Sequence, residues 1–242
     1  MQAIIPAAGY ATRLYPLTEN QPKHLLEVRG KPIIEHVIKK ILELPVKKIF
    51  IVSNEKYFKN FSEWLKKNNS SVSIELLNDH TKSNDDRLGQ IGDIQFAIEK
   101  QAIDDSLLII AGDNLFNFSL KPCFVFFKKK NAPVNVIKQW KEIEPLKQLG
   151  VVKVDGEKIV EFEEKPEKPK SFLSSTGIYF FPKKHVKLFK QYIKEGNNAD
   201  KMGYFMTWLV SRQDVFAFQY NEKWFDIGMI EALEEARREF NE

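Results

Sequence analysis

The chain has 242 residues, 43% of them hydrophobic and 29% charged, with a formal net charge of +4. That length and apolar content suffice for one large core, and the lack of a long single-sign block excludes a disordered polyelectrolyte. Scattered lysines without zinc-ligand spacing or a basic heptad helix give nucleic-acid binding no support, and no apolar run approaches a membrane span.

In chain order, Gln2–Pro6 reads as a buried strand and Pro32–Leu44 as a helix, with Ile33, Ile34, Val37, Ile38, Ile41 and Leu42 at helical spacing. Lys48–Ser53 is a second strand. Tyr57–Asn68 is a helix carrying Phe58, Phe61, Trp64 and Leu65 on one side, and Ser73–Asn78 is a third strand. Leu88–Lys100 is a helix, and Ser106–Ala111 is a strand ending in Gly112-Asp113-Asn114. Strands alternating with helices predict parallel βαβ units and a doubly wound, mostly parallel α/β sheet.

The second half changes character. Val151–Val154 and Lys158–Glu163 flank Asp155-Gly156 as a hairpin, and Ser174–Phe181 is a further strand. Helices are expected over Lys183–Lys194 and Tyr204–Ser211, a strand over Asp214–Gln219, and a closing amphipathic helix over Met229–Glu239. The reading is one domain over residues 1–242 with a small strand-rich lobe. Lys128-Lys129-Lys130 marks the solvated end of a helix. The lone Cys123, among Phe124, Val125 and Phe127, reads as a buried thiol. One cysteine cannot form an internal disulfide, and no leader pattern opens the chain, so a cytoplasmic protein is expected.

The most informative stretch follows the first strand. Ligands of open parallel sheets sit beyond the carboxyl ends of the strands. Ala7, Ala8, Gly9 and Ala11 let backbone approach a ligand closely, Arg13 can fork onto phosphate oxygens, and Lys23 supplies a compact cation. Neither G-x-G-x-x-G nor G-x-x-x-x-G-K-[ST] is present. A tight turn with surface cations fits the small residues alone equally well.

Taken whole, Ala8-Gly9-Tyr10-Ala11-Thr12-Arg13, Pro16-Leu17-Thr18 and Pro22-Lys23-His24-Leu25-Leu26 resemble the N-terminal signature of the sugar-1-phosphate nucleotidyltransferases. Ala11 stands where that family usually has a second glycine. The likeness continues through Leu88-Gly89-Gln90-Ile91-Gly92-Asp93, in which Gln90 and Asp93 replace small residues, and through Gly112-Asp113. It extends to Gly150-Val151-Val152, Glu163-Glu164-Lys165-Pro166, Ser175-Thr176-Gly177-Ile178-Tyr179 and Trp224-Phe225-Asp226-Ile227-Gly228.

The resemblance implies a Rossmann-like nucleotidyltransferase fold and a Mg²⁺-dependent enzyme. Its partners would be a nucleoside triphosphate and a sugar 1-phosphate, with glucose 1-phosphate and dTTP or UTP the expected pair. It implies that Ala8, Gly9, Tyr10, Ala11, Thr12, Arg13, Gly89 and Gly92 bind the nucleotide. Asn114, Gly150, Glu164, Lys165 and Gly177 would bind the sugar phosphate. Asp113 and Asp226 would hold the metal, and Arg13, Lys23 and Lys165 would complete the catalytic set. No C-terminal β-helix is expected, and a homo-oligomer is left open.

Attack of a phosphate oxygen on an α-phosphorus needs charge neutralisation and alignment more than a general base. His24, His36, His80 and His185 show no metal-ligand spacing and read as exposed or hydrogen-bonded. Trp224 lies beside a proposed ligand and reads either way. The alternatives are a cytidylyltransferase acting on a phospho-alcohol such as choline phosphate, a non-catalytic subunit of the same fold, and a nicotinamide-dependent enzyme. The retained charged residues and the missing dinucleotide motif disfavour the last two.

Overall fold

The computed structural model describes residues 1–241. Strand β1 (Gln2–Pro6) is followed by a hairpin, β2 (Glu27–Val28) and β3 (Lys31–Pro32), then α1 (Ile33–Ile41) and β4 (Lys48–Ser53). Next come α2 (Glu55–Lys67), β5 (Ser73–Asn78), α3 (Gly89–Lys100), β6 (Leu107–Ile110), β7 (Asn114–Phe116), α4 (Lys121–Lys130) and β8 (Val134–Gln139). The chain continues through β9 (Gly150–Asp155), β10 (Lys158–Glu164), β11 (Leu173–Phe181), α5 (Lys183–Lys194) and α6 (Met202–Val210). It ends with β12 (Phe216–Tyr220), β13 (Trp224–Asp226) and α7 (Ile230–Glu239).

One nine-stranded sheet runs β5-β4-β1-β6-β11-β8-β12-β10-β9, with an added β11–β9 pairing. The first four strands are parallel neighbours, and β11 lies antiparallel to β6 and β8. The expected doubly wound sheet is present, and its second half is mixed. The late hairpin β9–β10 is continuous with the main sheet, joined to β12 and to β11.

Side chains alternate across strand faces. Ile4, Phe50 and Val52 pack with α3, α5 and α6 on one face. Ala3, Ile5, Ile49 and Ile51 pack with α1, α2 and α4 on the other, where Cys123 is buried as expected. Each fully buried Ile or Phe contributes about 1.5–3 kcal/mol.

Helix α2 starts two residues earlier than its apolar period suggests because Asn54 caps it, accepting from the Tyr57 N–H at 2.9 Å. Strands β2, β3, β7, β8 and β13 have no counterpart among the expected elements, and Pro32, expected in the helix, ends β3. β7 and β13 form a separate antiparallel ribbon in which Asp226 pairs with Asn114.

A third core lies at one end of the sheet. Leu14, Val28, Ile33, Leu115, Ile227 and Leu233 join the loop after β1, the β2–β3 hairpin, the β7–β13 ribbon and α7. This core fixes the ribbon against the end of the loop.

Candidate active site

Strand β1 has β4 on one side and β6 on the other, so the chain reverses direction across the sheet at β1. That switch point opens a crevice beyond the carboxyl ends of β1 and β6. The loop after β1 fills one side of it. Ala7 N–H donates to the Val52 carbonyl at 2.8 Å, and Asn54 Nδ2 donates to the Ala8 carbonyl at 2.7 Å. The Tyr57 hydroxyl donates to the Thr18 carbonyl at 2.6 Å and lies 3.2 Å from that of Tyr10. Ala11 takes the left-handed conformation, φ 48°, that glycine favours, and Thr18 Oγ1 donates to its carbonyl at 2.8 Å. The alanine therefore keeps the turn that a glycine would make.

Two cavities meet behind this loop. The first, about 400 Å³, is lined by Ala8, Gly9, Tyr10, Ala11, Thr12 and Arg13, and by Lys23, Asn84, Arg87, Gly89 and Asp93 from other segments. The second, about 210 Å³, is lined by Asn114, Gly150, Glu164, Gly177, Tyr179, Trp224 and Asp226. Gln90, Ala111, Asp113, Lys165 and Lys201 line both. Of the glycines expected at the nucleotide, Gly92 lines neither cavity. It lies within α3, where a Cβ would stand 2.8 Å from the Leu88 Cβ.

Asp113 follows β6 and Asp226 ends β13. The ribbon register and an Ile227 N–H to Asp113 carbonyl bond of 3.1 Å bring the two together. Lys23 pairs with Asp113. Burial, the largest single influence, pushes the Asp113 carboxyl up, but the Lys23 charge and the hydrogen bonds to the carboxylate together outweigh it and hold the group below its ordinary value. Asp226 opens to the cleft. Desolvation by the cleft walls, then the like charge of Asp113, raise its carboxyl to about 6. A Cβ at Gly228 would lie 3.6 Å from Arg13 Nη2 and 3.9 Å from Asp226 Oδ1, so both groups flank one spot.

Lys165 follows β10 with a left-handed backbone, φ 50°, and its N–H donates to the Leu149 carbonyl at 3.0 Å. Burial, then the neighbouring Lys201, depress its ammonium. Glu164 lies 3.6 Å from Lys201, and burial raises its carboxyl against that pairing. Glycines let these walls close. A Cβ at Gly203 would stand 2.0 Å from Glu164 Oε2, one at Gly177 (φ 74°) 2.6 Å from Asn114 Nδ2, and one at Gly112 2.8 Å from His24 Cδ2. Asn114 Nδ2 donates to the Thr176 carbonyl at 2.6 Å, while its buried Oδ1 has no partner.

Lys201 has no counterpart in the sequence reading. It stands at the start of α6, beside Gln90, whose Oε1 accepts from the Met202 N–H at 3.0 Å. A single lysine after Asn197-Asn198-Ala199-Asp200 carries no local signal. His24 differs from expectation, being buried with an unpartnered Nδ1, and burial holds it neutral with a pKa of about 3. His185 is likewise buried with an unpartnered Nδ1, whereas His36 bonds the Val28 carbonyl and His80 is exposed. Trp224 is structural on one edge, donating to the Thr176 carbonyl at 3.2 Å, and lines the second cavity.

No group of three or more potential metal-ligating side chains occurs among the described residues. Mg²⁺ commonly takes one or two carboxylates and completes its shell with water and substrate phosphate. Two hard carboxylates facing one another beside a cationic cradle match that donor set. Among the described residues, no helix is long and apolar enough to cross a membrane.

The family model described as nucleotidyl transferase matches residues 2–242. The bifunctional protein GlmU of Methanocaldococcus jannaschii is 33% identical over 236 residues, covering 94% of this chain and 51% of that protein. The glucose-1-phosphate adenylyltransferase of Clostridium novyi is 28% identical over 256 positions, covering 98% of this chain and 65% of that protein. This chain thus spans only part of either relative's length. A UDP-glucose pyrophosphorylase solved with UDP-glucose has the same fold, with a TM-score of 0.83 at 20% identity, covering 98% of this chain and 97% of that one.

Proposed function

Because the chain belongs to the nucleotidyl transferase family, we propose that it transfers a nucleotidyl group from a nucleoside triphosphate to a sugar 1-phosphate. An acceptor phosphate oxygen forms a bond to the α-phosphorus, the bond from that phosphorus to the bridging oxygen breaks, and pyrophosphate leaves with the electron pair. The observation that carries the reading is the junction of two cavities at Asp113, Lys165 and Lys201, with Asp226 facing Asp113.

The larger cavity takes the triphosphate, and Arg13 and Lys23 neutralise its β- and γ-phosphates and the charge on the departing pyrophosphate. Lys23 then exchanges its contact with Asp113 for phosphate. The smaller cavity takes the sugar phosphate. Lys165 and Lys201 hold its phosphate in line with the α-phosphorus, while Glu164 and the free Oδ1 of Asn114 accept from sugar hydroxyls. Asp113 and Asp226 would hold Mg²⁺, which supplies charge neutralisation between the phosphates.

The phospho-alcohol alternative fares worse on one observation. A quaternary ammonium would need a free aromatic face, and Trp140 and Trp224 already have the Lys138 ammonium 4.6 and 5.9 Å from their rings.

The test is pyrophosphate release with ATP, GTP, CTP, UTP and dTTP against a sugar 1-phosphate panel led by glucose 1-phosphate, with choline phosphate included. Release that needs both substrates and Mg²⁺ is expected. No release with any sugar phosphate, or release only with choline phosphate, ends the proposal.

A further inference from the structure

Asp93 on the wall of the nucleotide cavity, and Asp79 facing it, have no part in the transfer just described. Asp79 follows β5 and is 7% exposed. Thr81 donates to its Oδ1 from both N–H and hydroxyl at 2.8 Å, and the hydroxyl lies 3.0 Å from Oδ2. Asp93, on α3, is 5% exposed, and its Oδ1 has no hydrogen-bond partner. It lines the cavity with Tyr10, Asn84 and Gly89. Burial, then the charge of the facing Asp79 and a hydrogen bond from the Asp93 carboxyl to it, push the Asp93 group up to about 8.

Helix α3 has no structural need for an acid there. The neighbouring side chains Ile91, Ile94 and Ala97 supply its packing, and an apolar residue would remove both the unpaired acceptor and the like-charge contact. A buried acceptor without a donor in the protein, on the wall of a ligand cavity, takes its donor from the ligand.

We infer that Asp93 reads the base, accepting a hydrogen bond from an exocyclic amino group, so that the cavity prefers adenine, cytosine or guanine nucleotides over uridine and thymidine nucleotides. The inference rests on the nucleotidyl-transfer reading and departs from the dTTP or UTP donor expected by resemblance. The proton that Asp93 keeps is shared with Asp79, so the oxygen left without a partner can only accept. Uracil and thymine offer one ring N–H between two carbonyl oxygens, whose lone pairs would face that acceptor. An amino group offers N–H donors without that second carbonyl on the amino side. Asp79 acts as a positioning residue behind Asp93, held in turn by Thr81.

The experiment compares kcat/KM for the five triphosphates at a fixed sugar 1-phosphate in the wild type, Asp93→Ala and Asp93→Asn, with melting temperatures alongside. The wild type should favour its best amino-bearing triphosphate over UTP and dTTP by about tenfold or more. Asp93→Ala should collapse that ratio and melt no lower than the wild type, while Asp93→Asn, which keeps a carbonyl acceptor, should retain part of the preference. A wild-type preference for UTP or dTTP overturns the inference. So does an Asp93→Ala protein with an unchanged ratio and a lower melting temperature, which is what a merely structural carboxyl would give. If no triphosphate turns over, the transfer reading has failed, and calorimetric binding of the same five triphosphates to the same three proteins decides the base reading separately.

Discussion

The two cavities are built on opposite plans. The nucleotide side comes largely from one contiguous loop, held by carbonyl bonds to Asn54 and Tyr57, and a Cβ on its exposed Gly9 would meet nothing within 4 Å. The acceptor side draws on β10, β11, α6 and β13. Its glycines are filled by neighbours: Gly203 by Glu164 at 2.0 Å, Gly177 by Asn114 at 2.6 Å and Gly150 by Phe162 at 2.7 Å. Gly9 leaves room for a ligand, whereas Gly150, Gly177 and Gly203 leave room for the protein itself. Substitution at the first should cost binding, and substitution at the others should cost the fold.

Asp113 lines both cavities and Asp226 faces it from the acceptor side, so these two should give the largest effect. Asp113→Asn and Asp226→Asn are each expected to lower kcat by about 10²–10³-fold, the scale of losing one preorganised charge at a reacting centre. Each should leave the circular dichroism spectrum and cooperative melt in place. Near-normal turnover in both variants would detach the ribbon from the chemistry and leave two unrelated clefts.

The glycines test the comparison most directly. Gly177→Ala combines a left-handed backbone with a close contact to Asn114 and should cost about 1–3 kcal/mol in urea unfolding. Gly9→Ala should stay within about 0.5 kcal/mol of the wild type while raising the KM for triphosphate. Equal stabilities for the two variants would erase the distinction.

Arg13 lies wholly on the nucleotide side, exposed and beside the spot shared with Asp226. Arg13→Ala should raise the triphosphate KM by about tenfold, about 1.4 kcal/mol of lost binding, and change the sugar-phosphate KM little. A matching loss on both substrates would mean that the cavities are coupled through the arginine.

What the sequence discloses follows the same divide. β1, β4 and β5 have the bounds expected from their apolar runs, because strand and helix periods are local properties. The phosphate loop is legible for the same reason. The ribbon is not. β7 and β13 have three residues each, too few to show a period, and each exists only through the other. Resemblance supplied the two aspartates, and the Asp226–Asn114 register with the Ile227 N–H to Asp113 carbonyl bond explains how they meet. Gly89 lines the nucleotide cavity, but its left-handed turn also packs on Ala199, whereas Gly92 serves α3 alone. Lys201 is invisible for a related reason, since its place depends on the loop before α6 docking on the start of α3 through Gln90 N–H to Asp200 carbonyl and Ile91 N–H to Ala199 carbonyl bonds of 3.0 and 2.9 Å.

The smallest expected effect separates the buried acid beneath the nucleotide cavity from the rest of the site by pH. Asp93 moves from an ordinary 3.8 to about 8, so the folded protein keeps a proton that the unfolded chain releases. Its contribution to stability is full below the lower value and is lost as pH rises through the upper one. His24, held near 3 against an ordinary 6.5, works with the opposite sign, but its contribution is complete above 6.5. Asp226, raised to about 6, has largely finished titrating there as well. Between pH 6.5 and 8 the wild type should therefore lose melting temperature relative to Asp93→Ala, by a few degrees, while every titration common to the two proteins cancels in the difference. A difference that stays flat across that interval would mean that Asp93 is ionised throughout and already solvated by the cavity, and the contrast between a ligand-facing wall and a protein-filled one would then extend to the floor of the nucleotide site.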